Sequence, residues 1–412
     1  MANSWAMIDE PSWTMGIEEE YLLVDRDSGA LVQSQPPGLI ERVAELRHGL
    51  VSPELFSAQI EIGTDVCRDV QHLRADVGLL RLAVTEAAAE HGLAPIAAST
   101  HPFARPHELD ITDKERYRIL ADDLQEIQRQ LLISGMHVHV GIEDPELRID
   151  LMNQVTYFLP HLLALSTSSP FWQGRDTGLA SYRSAVYKTL PRTGLPPKFD
   201  SWAEFRRHVD VLVNAGIIED SSKIWWDIRP SERYPTLEMR VTDLPTRMED
   251  TVAIAAAYVC LLRMLWRLRD GNQRWRSYAN FLIGENLWRA ERYGIGGSLI
   301  DLGKGTLVPN EHLVDELIEL VSPDAEALGC VDEIFHLRTI CERGTSASHQ
   351  LAVYQAALDA GADNDEALAE VVQHLIEHTL APPDVADHRD RVAAAADLIT
   401  ERHADSLRRS GE

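Results

Sequence analysis

Four short stretches of the chain each set two polar, chemistry-capable side chains at positions i and i+2, with apolar residues between or beside them. They are Glu18 and Glu20 in MGIEEEYLLV, Gln59 and Glu61 in AQIEI, His137 and His139 in GMHVHVG, and Glu238 and Arg240 in TLEMRVTD. In an extended strand, residues two apart point to the same face. The alternate residues, Ile60 and Ile62, Met136, Val138 and Val140, and Leu237, Met239 and Val241, therefore supply an apolar opposite face. If such strands share one sheet, one side is a core wall and the other a field of carboxylates, imidazoles and a guanidinium. Like charges left uncompensated on one face are costly. A bound cation or a phosphate cluster relieves that cost, so the pattern points to metal-dependent phosphate chemistry.

Periodicity predicts strands over 14–26, 55–63, 94–100 and 132–142, with helices over 38–48, 70–91 and 113–129. Beyond residue 150 helices dominate, at 149–167, 202–216, 249–269, 273–293, 311–321, 347–360, 364–381 and 384–408. Two strands joined by a Pro-containing turn are expected within 222–243. Strands thus crowd the first part of the chain and helices the last, which favours an α+β fold over alternating βαβ units. The segment 168–199 is rich in Ser, Gly, Pro and Arg. It is too long for an ordinary connector and reads as a functional loop.

A formal charge of −26 on 412 residues argues against nucleic-acid binding, which needs a basic patch. It does not argue against ATP, because metal ions and local arginines can neutralise a triphosphate. Of 39 basic residues only Lys114, Lys188, Lys198, Lys223 and Lys304 are lysine, so planar forks suited to phosphate and carboxylate are plentiful. Cys67, Cys260, Cys330 and Cys341 form no CxxC pair and read as reduced structural thiols. No apolar run approaches the roughly 20 residues that span a bilayer. The opening MANSWAMIDEPSW lacks the basic-then-apolar layout of a secretion signal. A cytoplasmic protein is expected.

His137 and His139 admit more than one reading. An HxH pair can hold zinc, as in metal-dependent amidohydrolases. It can equally belong to a polar strand face that holds phosphate or a hard-metal cluster, or be structural. Oxygen-rich surroundings favour Mg²⁺ or Mn²⁺ over zinc. An amidohydrolase barrel wants an early HxH and alternating βα units, and neither is evident. Glu238 and Arg240 could be a same-strand ion pair, or Arg240 could reach a γ-phosphate while Glu238 ligates a metal. Arg175, Arg183 and Arg192 crowd the 168–199 loop with Gly174 and Gly178, which suits anion capture. Gly303-Lys304-Gly305-Thr306 evokes a phosphate loop, but its spacing does not match GxxxxGK[ST].

Taken together, several ordered blocks resemble the type 2 glutamate–cysteine ligases, or carboxylate–amine ligases, whose fold is related to glutamine synthetase. They are Gly16–Tyr21, Gln59–Glu61, Gly135–Gly141, Ser169–Gly178, Trp226–Pro230, Leu237–Val241 and Glu285–Gly294. The resemblance implies a curved antiparallel sheet with a polar concave face, helices packed on its outer face, and a helical C-terminal part. It implies one catalytic domain over 14–380, with 1–13 as an N-terminal extension and 381–412 as a helical tail. Glu18, Glu20, Glu61 and Glu238, with Glu54 as a further candidate, match the metal-binding carboxylates. Arg240 and His137 match catalytic positions beside the transferred phosphoryl group. His139, Arg289 and Arg292 are the nucleotide-binding candidates, and Arg175, Arg183 and Trp226 the substrate-binding ones. The implied reaction joins a carboxylic acid to an amine at the expense of ATP, with glutamate and cysteine as namesake substrates and a homodimer as the expected assembly. A catalytically idle nucleotide-binding protein is the other reading of the same blocks. Near Gly344–Ala347 the pattern calls for an acidic–basic pair before Gln350, where this chain has Ser348 and His349.

Overall fold

The computed structural model describes residues 10–47 and 50–380. The expected helix 384–408 and most of the 1–13 segment lie outside those residues. Strand β1, Met15–Asp25, is the spine of a seven-stranded open antiparallel sheet. On one side it pairs with β3, Gln59–Gly63, which in turn pairs with β2, Leu50–Pro53. The C-terminal half of β1 pairs with β4, Leu93–Ile96. On the other side it pairs with β5, Met136–Gly141, followed by the strands Thr236–Met239 and Ile228–Pro230.

Alternation decides which way each strand faces. Met15, Ile17, Tyr21 and Leu23 on β1 go into the main core with Ile60, Ile62, Met136, Val138, Val140, Leu237 and Met239. The helices Val70–Ala89 and Met248–Asp270 back this face. On the opposite face, Glu18 and Glu20 precede Leu22 and Val24, which enter a second core with Phe56, Ile96 and the helix Asn364–Thr379. The polar patch is thus closed at one end by apolar packing. Met248–Asp270 is long and apolar enough to cross a membrane, but it is a core helix with 78% of its apolar window buried inside the protein.

Element boundaries differ from the sequence reading where local chemistry intervenes. The expected helix 149–167 is two helices, Pro145–Val155 and Leu159–Ser166, separated by a short 3₁₀ turn just before Pro160. The helix expected from 273 starts at Asn280. Val331–Arg343 is a further helix that the periodicity did not suggest.

The largest surprise is Glu19, the middle of the three-glutamate run. Its parity sends it into the core, where it is completely buried. Arg81, equally buried on the helix Val70–Ala89, grips it with two parallel bonds, Nη2 to Oε1 at 2.6 Å and Nε to Oε2 at 2.9 Å. Thr251 Oγ1 donates to the same carboxylate at 2.9 Å, and the Tyr21 hydroxyl donates to it as well. Arg81 spends its remaining hydrogens on the carbonyls of Pro245, Thr246 and Thr379. Two helices, a loop and the end of the last described helix therefore meet on one residue of β1. Breaking one side of such a pair strands a buried charge. Arg81→Met is expected to cost roughly 3–5 kcal/mol in urea unfolding. The double variant Glu19→Leu/Arg81→Met is expected to recover part of that loss. A double variant as destabilised as the sum of its singles would show that the pair is not coupled.

Candidate active site

Strand register lays the functional side chains out in rows across the sheet. Arg229 faces Glu238, and Glu238 faces His139. His137 faces Glu18. Glu20 faces Glu61, which faces Ser52. Period-two geometry turns all of these to one side, where Glu18, Glu20, Glu54, Gln59, Glu61, His137, Arg183 and Arg240 line a cavity of about 340 Å³. Leu55, Tyr117, Leu131, Ile133, Leu190 and Trp225 form its apolar wall. A polar floor with a greasy wall suits a ligand that is charged at one end and flat or apolar at the other. Two larger hollows, each about 510 Å³, lie elsewhere. In one of them Asp150 is paired with Arg269 and Arg274.

Electrostatically the floor has two halves. In the first, charges are matched. His137 Nδ1 is 3.1 Å from Glu18 Oε2, and His139 Nε2 is 3.5 Å from Glu18 Oε1. Burial alone would raise the Glu18 carboxyl, but the two imidazoles bring it well below its ordinary value. Glu238 is held by Arg229, with Nε to Oε2 at 2.9 Å and Nη2 to Oε1 at 3.2 Å, and by Arg240. Burial opposes ionisation there too, yet Arg240 and Arg229 hold the Glu238 carboxyl far below the usual range. His137 is pushed down to about 4 by burial and by Arg240, so it is neutral at physiological pH. Its Nδ1 also lies 3.4 Å from Arg240 Nη1, and one nitrogen cannot donate to Glu18 while accepting from Arg240. Arg240 is oriented by Tyr187, whose hydroxyl receives its Nε at 3.4 Å and Nη2 at 3.3 Å.

In the second half, carboxylates face one another. Glu20 is pushed up to about 8 by burial and by Glu54, against the pull of Arg183 and Arg240. Glu61 is raised well above its ordinary value by burial and by Glu54, Glu18 and Glu20. Half-buried carboxylates that line one cavity and are short of positive charge are the donor set a hard divalent cation prefers. Glu20, Glu54 and Glu61 therefore fit Mg²⁺ or Mn²⁺. Glu18, His139 and Glu238 form a second group, with donor atoms all within 4.8 Å of one another. His139 Nε2 is buried there, and its 3.5 Å approach to Glu18 Oε1 is an ion-pair contact rather than a hydrogen bond.

The structure does not bring every expected residue here. Arg183 reaches the cavity, anchored by Nη2 on the Arg240 carbonyl at 3.1 Å. A side chain at Gly135 would collide with that guanidinium, since its Cβ would lie 2.5 Å from Nη2. Trp226 instead packs on Phe199 and Phe205 at the core edge, and its neighbour Trp225 lines the cavity. Arg175 is exposed in a short hairpin with Trp172. Arg289 donates to the Ser298 carbonyl at 2.7 Å, and Arg292 is exposed over the Tyr293 ring. None of these three arginines lines the cavity. Arg229, Tyr187 and Lys223 were not singled out from the sequence. Arg229 shares the i, i+2 parity of Trp225 and was in principle readable; Tyr187 had no signal.

Residues 14–374 match the glutamate–cysteine ligase family 2. A relative from Rhodospirillum rubrum, provisionally named glutamate–cysteine ligase 2, is 59% identical over 377 residues, covering 90% of this chain and 97% of the relative. A relative of the same name from a Jannaschia species is 54% identical over 365 residues, covering 89% and 96%. Among solved structures, a glutamate–cysteine ligase from Francisella tularensis in complex with AMP superposes with a TM-score of 0.64 at 13% identity, covering 96% of this chain and 95% of that one. A bifunctional glutathione synthetase from Pasteurella multocida also gives 0.64, at 15% identity, over 89% of this chain and 52% of that one. At such identities the two structures establish the shared fold alone. The chain belongs to glutamate–cysteine ligase family 2, and it is a ligase.

If the facing carboxylates repel, removing one charge should stabilise the protein without metal. Glu61→Gln is expected to melt at a higher temperature than the wild type in EDTA and to gain less from added Mg²⁺. Equal metal-induced shifts in both proteins would remove Glu61 from the cation site.

Proposed function

We propose that the protein is an ATP-dependent carboxylate–amine ligase working through an acyl phosphate, with glutamate as acid and cysteine as amine. One observation carries the reading. Unbalanced carboxylates from separate segments and the guanidinium groups of Arg183 and Arg240 converge on one cavity with an apolar wall. Glu18, Glu20, Glu54 and Glu61, with the edge of Glu238 that faces Glu18 and His139, would hold the divalent cation. That cation neutralises phosphate oxygens when bound.

A carboxylate is a poor acyl donor, because oxide is a poor leaving group. Attack of a substrate carboxylate oxygen on the γ-phosphorus forms a C–O–P link and releases ADP. The amine nitrogen then attacks the acyl carbon, the C–O bond to phosphate breaks, and the nitrogen loses a proton as the amide forms. Little covalent work is left to the protein, so positioning and charge stabilisation dominate. Arg240, fixed by Glu238 and Tyr187, points a preorganised guanidinium at the transferring group. Neutral His137 supplies a hydrogen bond beside it without adding a competing charge. Arg183, anchored next to Arg240, faces Glu20 and suits a substrate carboxylate or phosphate oxygen. Magnesium as the cation, a homodimer and a cytoplasmic setting complete this reading.

A metal-dependent amidohydrolase is not favoured, because the HxH pair lies in an antiparallel sheet among carboxylates rather than in a parallel barrel. Incubation with ATP, Mg²⁺ and pairs of amino acids is the test. Phosphate release is expected only when an acid and an amine are both present, and glutamate with cysteine is expected to be the best pair. Arg240→Lys is expected to lower turnover by about 10²–10³-fold with folding unchanged. Amide cleavage without ATP, or nucleotide binding with no turnover on any pair, would overturn the proposal.

A further inference from the structure

We propose that His349, His374 and His378 form a site for one nitrogen-preferring transition-metal dication, such as Zn²⁺ or Ni²⁺, separate from the carboxylate cavity. His374 and His378 lie one turn apart on the helix Asn364–Thr379, so their rings share a face. Their centroids are 4.0 Å apart. This i, i+4 spacing is the one with which a single helix chelates zinc. The helix Ser346–Asp359 brings the His349 ring to 6.0 Å from His374, in a near-parallel stack.

The state of the nitrogens supports ligation. His378 Nδ1 is 2.9 Å from the His374 carbonyl, a bond that fixes the ring and leaves Nε2 for a ligand. His349 Nε2 is buried with no hydrogen-bond partner, the kind of group that calls for an explanation in a native structure. Burial and the surrounding cationic groups hold both His349 and His374 below the ordinary histidine value, His374 at about 4. The three rings are half-buried, so an ion has access. Bringing three nitrogens to about 2.0–2.1 Å from one ion requires His349 to turn about its side-chain torsions. Arg247 and Arg343 oppose a cation electrostatically, and Asp250 offsets Arg343 through an ion pair at 2.5 Å.

An ion at this point would fasten the last described helix to the one before it. Thr379, the residue after His378, gives its carbonyl to Arg81 at 3.2 Å, and Arg81 holds Glu19. The site is thus a structural clamp at the back of β1, and imidazole donors select a softer ion than the oxygen-lined cavity does.

The test uses the tag-free full chain, stripped with EDTA and kept in excess Mg²⁺ so that the carboxylate cavity is already supplied. Zn²⁺ or Ni²⁺ is titrated by calorimetry and by thermal melting, and Co²⁺ is added for its visible spectrum. One ion per chain is expected to bind, to raise the melting temperature, and to show nitrogen-dominated Co²⁺ absorption. His374→Asn and His378→Asn are each expected to weaken binding by more than about tenfold, the range already seen when outer-shell partners of a metal are lost. His349→Asn is expected to weaken it too. Melting of the metal-free variants serves as the folding control. Unchanged affinity in His374→Asn/His378→Asn would place the ion elsewhere and overturn the proposal. So would the absence of binding in the wild type.

Discussion

The site depends on one strand being held so that neighbouring residues serve opposite purposes. Three consecutive glutamates on β1 cannot all face one way in an extended backbone. Glu18 and Glu20 face the cavity while Glu19 enters the core, and the Glu19–Arg81 pair makes that division durable. A slip of one residue in the register of β1 would expel Glu19 from its partner and bury Glu18 and Glu20 in a hydrocarbon wall. Both halves of the alternation enforce the same register. A buried ion pair is weak evidence for stability but can specify a unique arrangement, and that is the role the geometry gives it here.

On the cavity side the charges are divided rather than spread. Glu18 is held by the protein's own imidazoles and Glu238 is ion-paired with its guanidiniums, so both also keep the histidines and arginines in place. Glu20 and Glu61 are left short of positive charge, and their affinity for protons has risen accordingly. Carboxyl groups pushed up in this way beside a cavity mark a candidate functional site. A divalent cation held between them would relieve that repulsion, and the adjacent Arg183 and Arg240 would suit an anion bound beside it.

Much of this arrangement was legible because a strand has a period of two. Faces could be assigned from parity alone for the segments around Glu18, Glu61, His137 and Glu238, and the apolar partners of all four are buried as that parity requires. Glu19 was not legible as a core residue, since its partner Arg81 sits on a helix distant in sequence and a charge run ordinarily faces solvent. Trp226 belongs to a block that resembles the family, yet it packs on Phe199 and Phe205, while its neighbour Trp225, of the same parity as Arg229, lines the cavity. Arg289 and Arg292 sit in a block that resembles the family, yet their helix lies away from the cavity, and no pattern in one sequence reports which helix approaches a sheet. Tyr187 ends a short helix, Tyr182–Tyr187, inside the 168–199 segment that reads as a loop, and where that helix docks is set by tertiary contacts rather than by local periodicity.

In the proposed reaction the cavity passes the γ-phosphoryl group of ATP to a carboxylate oxygen of the acid. The most direct test supplies glutamate labelled with ¹⁸O in its carboxylates, together with ATP, Mg²⁺ and cysteine, and follows the label by mass spectrometry of the phosphate products. Transfer of one labelled oxygen into inorganic phosphate for each amide formed is the expected result. Label in AMP, or phosphate whose new oxygen comes only from water, would contradict an acyl-phosphate intermediate.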